Sequence, residues 1–377
     1  MTEPGADMDA RIQGAVAANE RVTRETMTFI HGHPELAHAE QASAAHLVQV
    51  LRGLGLTVET GIAGMTTAFR ATLRGALPGR SVGIVANYDA VPSVPRPGVI
   101  EAVHSCGHGP IAAGVVTAIA ALAAQRDDLA GSIVVMGCPA DEIHAPGTVA
   151  RGGGKALSAA AGAWDGIDAA LYAHPEYLDT VWEESAWMRR DTALIHASRT
   201  MLNGAPQTVL AAVAAMLAAA STAPAAQVML ETLDLDGDVE EGTGLGARAR
   251  FLFWAPDEAG IHALADGVRS AAPAEWQSGP MVPGIVADAQ VRDAVAAAHR
   301  AAGRTYVAPT MPLPFATDFG NITRVVPAAL IGLGRPGGWA FHTDEGARQF
   351  ASDDGLAAAF EVAQVLALSA VRLSAPR

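Results

Sequence analysis

The chain has 377 residues, half of them hydrophobic and 17% charged, which gives room for about two domains and a sizeable core and excludes a disordered polymer. Its 25 Lys and Arg against 39 Asp and Glu leave a net charge of −14, a balance that argues against nucleic acid and anionic membrane surfaces as partners, because both select clustered cations. Two cysteines make no disulfide framework and the acidic start MTEPGADMDAR has no apolar run of a signal peptide, so a cytoplasmic, reducing location is expected.

In chain order, residues 9–55 carry helical periodicity, interrupted at His33-Pro34. TAFRATLRG and RSVGIVANYDAVPSV read as two strands, the second buried and ending in a polar loop that contains Asp89. HSCGHG, residues 104–109, is a glycine-softened turn that sets Cys106 between His104 and His108, and an apolar helix is predicted after it over 110–125. GSIVVMGCPADE repeats the pattern of an apolar β-branched run with a polar tip, here the acid pair Asp141-Glu142. IDAALYAHPEY does so a third time and ends at His174. Strand, polar tip and helix in succession predict an α/β fold with functional residues at strand ends. PIAAGVVTAIAALAA and TVLAAVAAMLAAA are shorter than the roughly 18–20 residues that a membrane span needs, so they read as packed helices.

Between 189 and 279 the texture changes. DTALIHA, QVMLETLDL, ARARFLFWA and AEWQSGPMV read as strands, with PQTVLAAVAAMLAAA and EAGIHALADGVRSA as helices between them. The order β-α-β-β-α-β is that of a ferredoxin-like α+β unit. The simplest partition is a discontinuous metal-binding domain of residues 1–188 and 280–377 with an inserted domain of residues 189–279.

The chemistry concentrates at four places: Cys106 with His108, the pair Asp141-Glu142, His174, and His342 in FHTDEG. A cysteine and a histidine two apart in a turn can face one ion, and the remaining donors would come from other strand ends. Thiolate, imidazole and carboxylate together suit Zn²⁺, Mn²⁺, Co²⁺ or Ni²⁺, and five donors exceed what one structural zinc takes, which points to two divalent ions. Taken singly, each piece has a plainer reading: a turn cysteine, a solvated acid pair, a core histidine. His144, His196, His262 and His299 are read as structural. The joint arrangement is what favours a site, because every one of these positions follows an apolar run or a Gly/Pro-rich turn.

HGHPELAHAE, NYDAVP, HSCGHG, CPADE, YAHPE, PFATDFGNITRVVPA and FHTDEG together resemble the ordered motifs of the M20 metallopeptidase and amidohydrolase family, from about residue 29 to residue 346. The series is similar to subfamily D, the aminoacylase-like enzymes and dipeptidases, and ATDFGN points to its branch of aminobenzoyl-glutamate hydrolases. The resemblance implies a zinc-peptidase-like catalytic domain with a lid that mediates homodimerisation. It also implies two metal ions held by Cys106, His108, Glu142, His174 and His342, with Cys106 as the bridging thiolate. Asp141 then stands at the family's base position and Asp89 supports the ligands, so that metal-activated water attacks an amide carbonyl.

Four departures bear on substrate. The base is Asp141 where the family has Glu, and Gly109-Pro110 follow the Cys-Gly-His motif in place of the usual acid. Met201 falls where the lid usually carries a histidine, and Glu241 and Trp254 fall where an Asn and an Arg usually grip a carboxylate. The expected function is hydrolysis of a C–N bond in a small substrate that is aromatic or otherwise non-standard. The alternatives are a hydrolytic deaminase of an aryl amine and a catalytically inactive, metal-binding relative that binds a ligand or regulates.

Overall fold

The computed structural model describes residues 4–196, 205–222, 227–236 and 246–376. The chain divides into two compact units, Met1–Glu184 with Ile285–Pro312 and Asn321–Arg377, and Ser185–Gly284 with Leu313–Gly320. The sequence partition put its boundaries four or five residues inside the insert and left 313–320 with the first domain. Those residues go with the insert because Ser185 bridges to Leu313 and the Ala186 N–H donates to the Leu313 carbonyl at 3.1 Å.

The first unit begins with helices α1 (Pro4–Ala18), α2 (Glu20–Gly32) and α3 (Gln41–Gly53), the last two separated at His33-Pro34 because proline cannot continue a helix. Strands β1 (Thr57–Thr60), β2 (Phe69–Arg74) and β3 (Leu77–Ala86) follow, then a separate hairpin of β4 (Val91–Arg96) and β5 (Val99–Val103). Helix α4 (His108–Ala123) is apolar on every face and buried along nearly its whole length, the pattern of a core helix. Next come β6 (Ala130–Gly137), the short helices α5 (Pro146–Arg151) and α6 (Gly154–Ala160), β7 (Ala169–Glu176) and β8 (Thr180–Trp182).

The inserted unit runs β9 (Trp187–His196), α7 (Ala205–Ser221), β10 (Val228–Asp236), β11 (Gly246–Ala255), α8 (Glu258–Arg269) and β12 (Glu275–Val282). Its antiparallel sheet has the order β10-β11-β9-β12, the ferredoxin-like order expected of a βαββαβ chain. Alternate side chains of β9 and β11, among them Ala193, Ile195, Phe251 and Phe253, form a core with Val213 and Met216 of α7 and Ile261 of α8. Trp254 points to the other face, partly buried and paired in register with Met188.

The chain then continues with α9 (Ala289–Ala301) of the first unit, the short α10 (Phe319–Ile322), which begins in the inserted unit and ends in the first, and completes the first unit with β13 (Ala328–Gly334), α11 (Asp344–Ala351) and α12 (Asp353–Ser374). Its seven-stranded sheet has the order β1-β2-β6-β3-β7-β13-β8, in which β6, β3, β7 and β13 are mutually parallel and the outer pairings are antiparallel. Helices α4 and α12 pack on each other and on this sheet, with Ile111, Val115, Ile119, Val362, Leu366 and Ala370 fully buried. Helix α12 is long and apolar enough by composition to cross a membrane, but 67% of that window is buried in this core, which is where its apolar surface goes. Parallel strands deliver their carboxyl ends to one edge of the sheet. There β3 is followed by Asn87 and Asp89, β6 by Asp141 and Glu142, and β7 carries His174 two residues before its end.

Candidate metal centre

Each donor is brought in by a different element. Gly107, at φ +96°, lets the chain turn from Cys106 into α4, whose first residue is His108, and Pro110 falls in the first turn, where a missing N–H costs nothing. The His342 N–H donates to the Ser105 carbonyl at 2.9 Å and so ties the C-terminal loop to the cysteine turn. His342 itself is at φ +59°, a conformation that non-glycine residues rarely adopt and that surrounding bonds must hold. Ala140, at φ +58° just before the acid pair, is held in the same way: its N–H donates to the buried Glu40 carboxylate at 2.9 Å.

The structure gathers the five predicted donors into two groups. Cys106, His108 and His174 offer ligand atoms within 4.8 Å of one another, and so do Cys106, Glu142 and His342. Cys106 belongs to both. Its Sγ is 3.7 Å from His174 Nε2 and 3.2 Å from His342 Nε2. Glu142 Oε2 lies 3.6 Å from His342 Nε2, and Oε1 lies 3.8 Å from His108 Nε2.

Hydrogen bonds behind the donors select the nitrogen that faces inward. His108 Nδ1 is 2.7 Å from the Asp89 carbonyl and 3.1 Å from its Oδ1, which leaves Nε2 toward the centre. His174 Nδ1 is 2.7 Å from the Pro175 carbonyl and 3.4 Å from Glu176 Oε1, with the same result. Asp89 also accepts the Glu142 N–H at 3.0 Å, so one buried carboxylate orients two donors. His108 Nε2 and Glu142 Oε1 are buried with no hydrogen-bond partner, and the two face the same space. A pair of divalent ions sharing a thiolate fits this donor set and would satisfy both orphaned atoms.

The protonation of the cage points the same way. Burial opposes ionisation of Cys106, but the imidazoles of His108, His174 and His342 beside it outweigh it and hold the thiol well below its usual range. Burial also opposes charge on His108 and His174; Asp89 overcomes it at the first and Cys106 at the second, which rises to about 10. Burial, and then the Cys106 thiolate, pushes Glu142 well above the carboxylate range. Thiolate, imidazolium and protonated carboxyl crowded together are what bound cations would replace by displacing protons. His104 is driven by burial down to about 3, and neither of its ring nitrogens has a hydrogen-bond partner.

Asp141 Oδ2 lies 3.1 Å from His108 Nε2, beside the space the donors enclose. Three residues not singled out in the sequence surround it. Lys155 Nζ donates to Oδ1, Tyr172 Oη donates to Oδ2 at 3.0 Å, and Asn87 Nδ2 donates to Tyr172 Oη at 2.7 Å. The signal for Lys155 was available, since it is the single lysine of the chain and follows three glycines. Phe341 was also missed: its ring stands 5.7 Å from that of His174 and 5.9 Å from that of Tyr177. Of the predicted substrate residues, Met201 and Glu241 lie outside the described residues, while Trp254 is on the inserted sheet. His144 is exposed, and His299 is fully buried on α9.

The fold and the donor cage are those of a zinc-peptidase-like α/β scaffold with a candidate metal centre at the carboxyl edge of its sheet. The model of peptidase family M20/M25/M40 matches residues 83–369, and the chain belongs to that family. It is 32% identical over 120 residues to thermostable carboxypeptidase 2 of Saccharolobus solfataricus, a match covering 30% of each chain. It is 28% identical over 178 residues to one of the subunits of the p-aminobenzoyl-glutamate hydrolase of Escherichia coli, covering 44% of this chain and 34% of that one. These matches span only about a third of the curated relatives. Among solved structures, a dinuclear metal-binding M20 peptidase of Bacillus subtilis superposes with a TM-score of 0.69 at 19% identity, over 95% of this chain and 99% of that one, which is a likeness of fold.

Proposed function

We propose that the chain is a metal-dependent hydrolase that cleaves a C–N bond, most simply an amide, in a small substrate with an aromatic portion. The observation that carries this reading is the sharing of Cys106 between two three-residue donor groups. In it, Cys106, His108 and His174 would hold one ion, and Cys106, Glu142 and His342 would hold the other. Bound ions supply Lewis acidity, lowering the pKa of water and polarising a carbonyl. The protein supplies the rest. Asp89 orients His108 and the backbone of Glu142, and Asp141, with Oδ2 turned toward the cage, takes a proton from water and returns it to the leaving nitrogen.

The aromatic preference rests on the wall beside His174. Phe341 is partly buried against that ring, and Tyr177, edge-on to Phe341, remains 58% exposed. Stacking on such a platform is worth about 0.5–1.5 kcal/mol beyond burial. The relative named as a hydrolase of p-aminobenzoyl-glutamate acts, by its name, on an aryl amide, which agrees with this choice.

We further propose that the inserted unit forms a homodimer interface. Among the described residues β10 pairs on one side only, with β11, and exposes Met229, Leu233 and Leu235; α7 of the same unit exposes Leu210 and Leu217. A cytoplasmic location suits a centre that needs a reduced thiolate.

The test is turnover by the metal-loaded protein, with Mn²⁺ or Zn²⁺, of a panel holding N-acyl amino acids, aryl amides and anilines. Aryl amides are expected to react fastest. Release of ammonia from anilines alone would favour the deaminase, and a metal-loaded protein inert to the whole panel would favour the binding protein.

A further inference from the structure

Of the 25 Lys and Arg residues in the chain, 24 are arginine and one is lysine. That lysine, Lys155, is completely buried. A buried ammonium needs a reason, because desolvating it costs several kcal/mol, of the order expected for any ion taken from water. Its placement follows from RGGGK, residues 151–155. Gly154 opens α6 pressed so close to the tip of β6 that a Cβ there would overlap the Pro139 carbonyl oxygen. Only a glycine permits that approach, and the next residue is thereby brought under Asp141.

The ammonium then meets Asp141 Oδ1 and sits 5.0 Å from the centroid of the Tyr172 ring. Tyr172 Oη, itself receiving Asn87 Nδ2, donates to the other carboxylate oxygen. Asp141 is thus gripped from α6 and from β7, and Oδ2 is left 3.1 Å from His108 Nε2. A compact ammonium suits a fully buried position better than the wide planar fork of arginine, which the chain uses at every other basic position.

We propose that Lys155 is a positioning residue: with Tyr172 and Asn87 it fixes the Asp141 carboxylate so that Oδ2 faces the cage formed by Cys106, His108 and Glu142. This rests on the hydrolase reading above. An aspartate is one methylene shorter than a glutamate, so its reach toward a reacting water depends on a fixed side-chain torsion, and misplacement by about 1 Å is enough to lower a rate about 100-fold. Lys155 touches neither substrate nor ion in this role and acts through Asp141.

The test is a double-mutant cycle of Lys155→Met, Asp141→Asn and the pair, with kcat, KM, bound metal and melting temperature measured for each on the best substrate of the panel. Lys155→Met is expected to keep both ions and a KM within about threefold while kcat falls about 100-fold. Lys155→Met combined with Asp141→Asn is expected to match Asp141→Asn alone, because a residue that works only through Asp141 has nothing left to position. Tyr172→Phe removes one grip and leaves the ion pair, with an expected loss in kcat of about tenfold. If Lys155→Met alone does not fold, the doubly neutral variant, which leaves no unpaired charge, still reports the comparison. Multiplying losses in the double variant, or a kcat within about threefold of wild type for Lys155→Met, overturns the positioning role while leaving the hydrolase reading intact. A wild-type protein that turns over nothing overturns both.

Discussion

His342 Nε2 lies 3.2 Å from Cys106 Sγ although 236 positions separate the two residues, and the His342 N–H closes onto the Ser105 carbonyl. The loop that carries His342 is thereby stitched to the cysteine turn. Because Cys106 also faces His174, removal of different donors has different consequences for metal content. His342→Ala and His174→Ala are each expected to bind one ion fewer than wild type, and Cys106→Ala to lose both, as measured by elemental analysis after dialysis. Binding is expected to displace protons from the donors, since, against the effect of burial, the neighbouring Cys106 raises His174 to about 10. Affinity therefore rises with pH, which calorimetry in buffers of different ionisation enthalpy will read as proton release.

Gly107→Ala tests the turn. At φ +96° an added Cβ is strained whatever the space, and it would also meet Pro175 Cγ at 3.0 Å and the Phe350 ring at 3.2 Å. The expected loss is about 1–3 kcal/mol of stability by chemical denaturation, with metal affinity reduced in the same variant.

Glu40 provides a pH-dependent term in stability. Its carboxyl, raised to about 7 by burial and then by Asp89, sits above its unfolded value of 4.5. The folded state therefore holds this proton more tightly, so the contribution is complete below about pH 4.5 and is lost as pH rises toward 7. Glu40→Gln keeps an acceptor for the His38 and Ala140 N–H groups and removes the titration. Its melting temperature is expected to fall less than that of wild type across this window, by an amount equivalent to on the order of 1–3 kcal/mol. His299, lowered to about 4 by burial, gives the opposite slope, with stability lost as pH falls below its unfolded value of 6.5. It is present in both proteins and cancels in the difference.

The aromatic wall makes a specificity prediction. Tyr177→Ala is expected to raise KM for aryl amides by about tenfold and to leave N-acetyl aliphatic amides within about twofold, as one ring contact is worth about 0.5–1.5 kcal/mol. Equal losses on both substrate types would remove Tyr177 from substrate recognition.

Leu235, 62% exposed on the edge strand β10, tests the proposed dimer. Leu235→Glu is expected to convert a dimer to a monomer in light scattering with the melting temperature of the first unit unchanged. A wild-type monomer would sink that proposal.

Much of this was legible in the residues. β-branched runs ending in Asp89, Glu142 and His174 announced buried strands with polar tips, and the parallel order of β6, β3 and β7 is the reason those tips meet. The ferredoxin-like order of the insert followed from periodicity alone. Tyr172 and Phe341 were not legible, since a strand tyrosine and a loop phenylalanine have ordinary roles until their neighbours are known, and the single lysine, Lys155, was conspicuous without its partner being readable. Residues 313–320 likewise join the insert through a pairing with Ser185 that no local pattern encodes.

The sequence by itself determined the family, the strand-tip donors and the kinds of atom they offer, because these depend on residue type and on short-range periodicity. Only the tertiary structure decided that Cys106 serves two donor groups and that Asp141 is gripped on both oxygens. Both depend on distances between side chains carried by different strands and helices, and those distances are set by sheet order and by the close approach of Gly154 to Pro139, not by position along the chain.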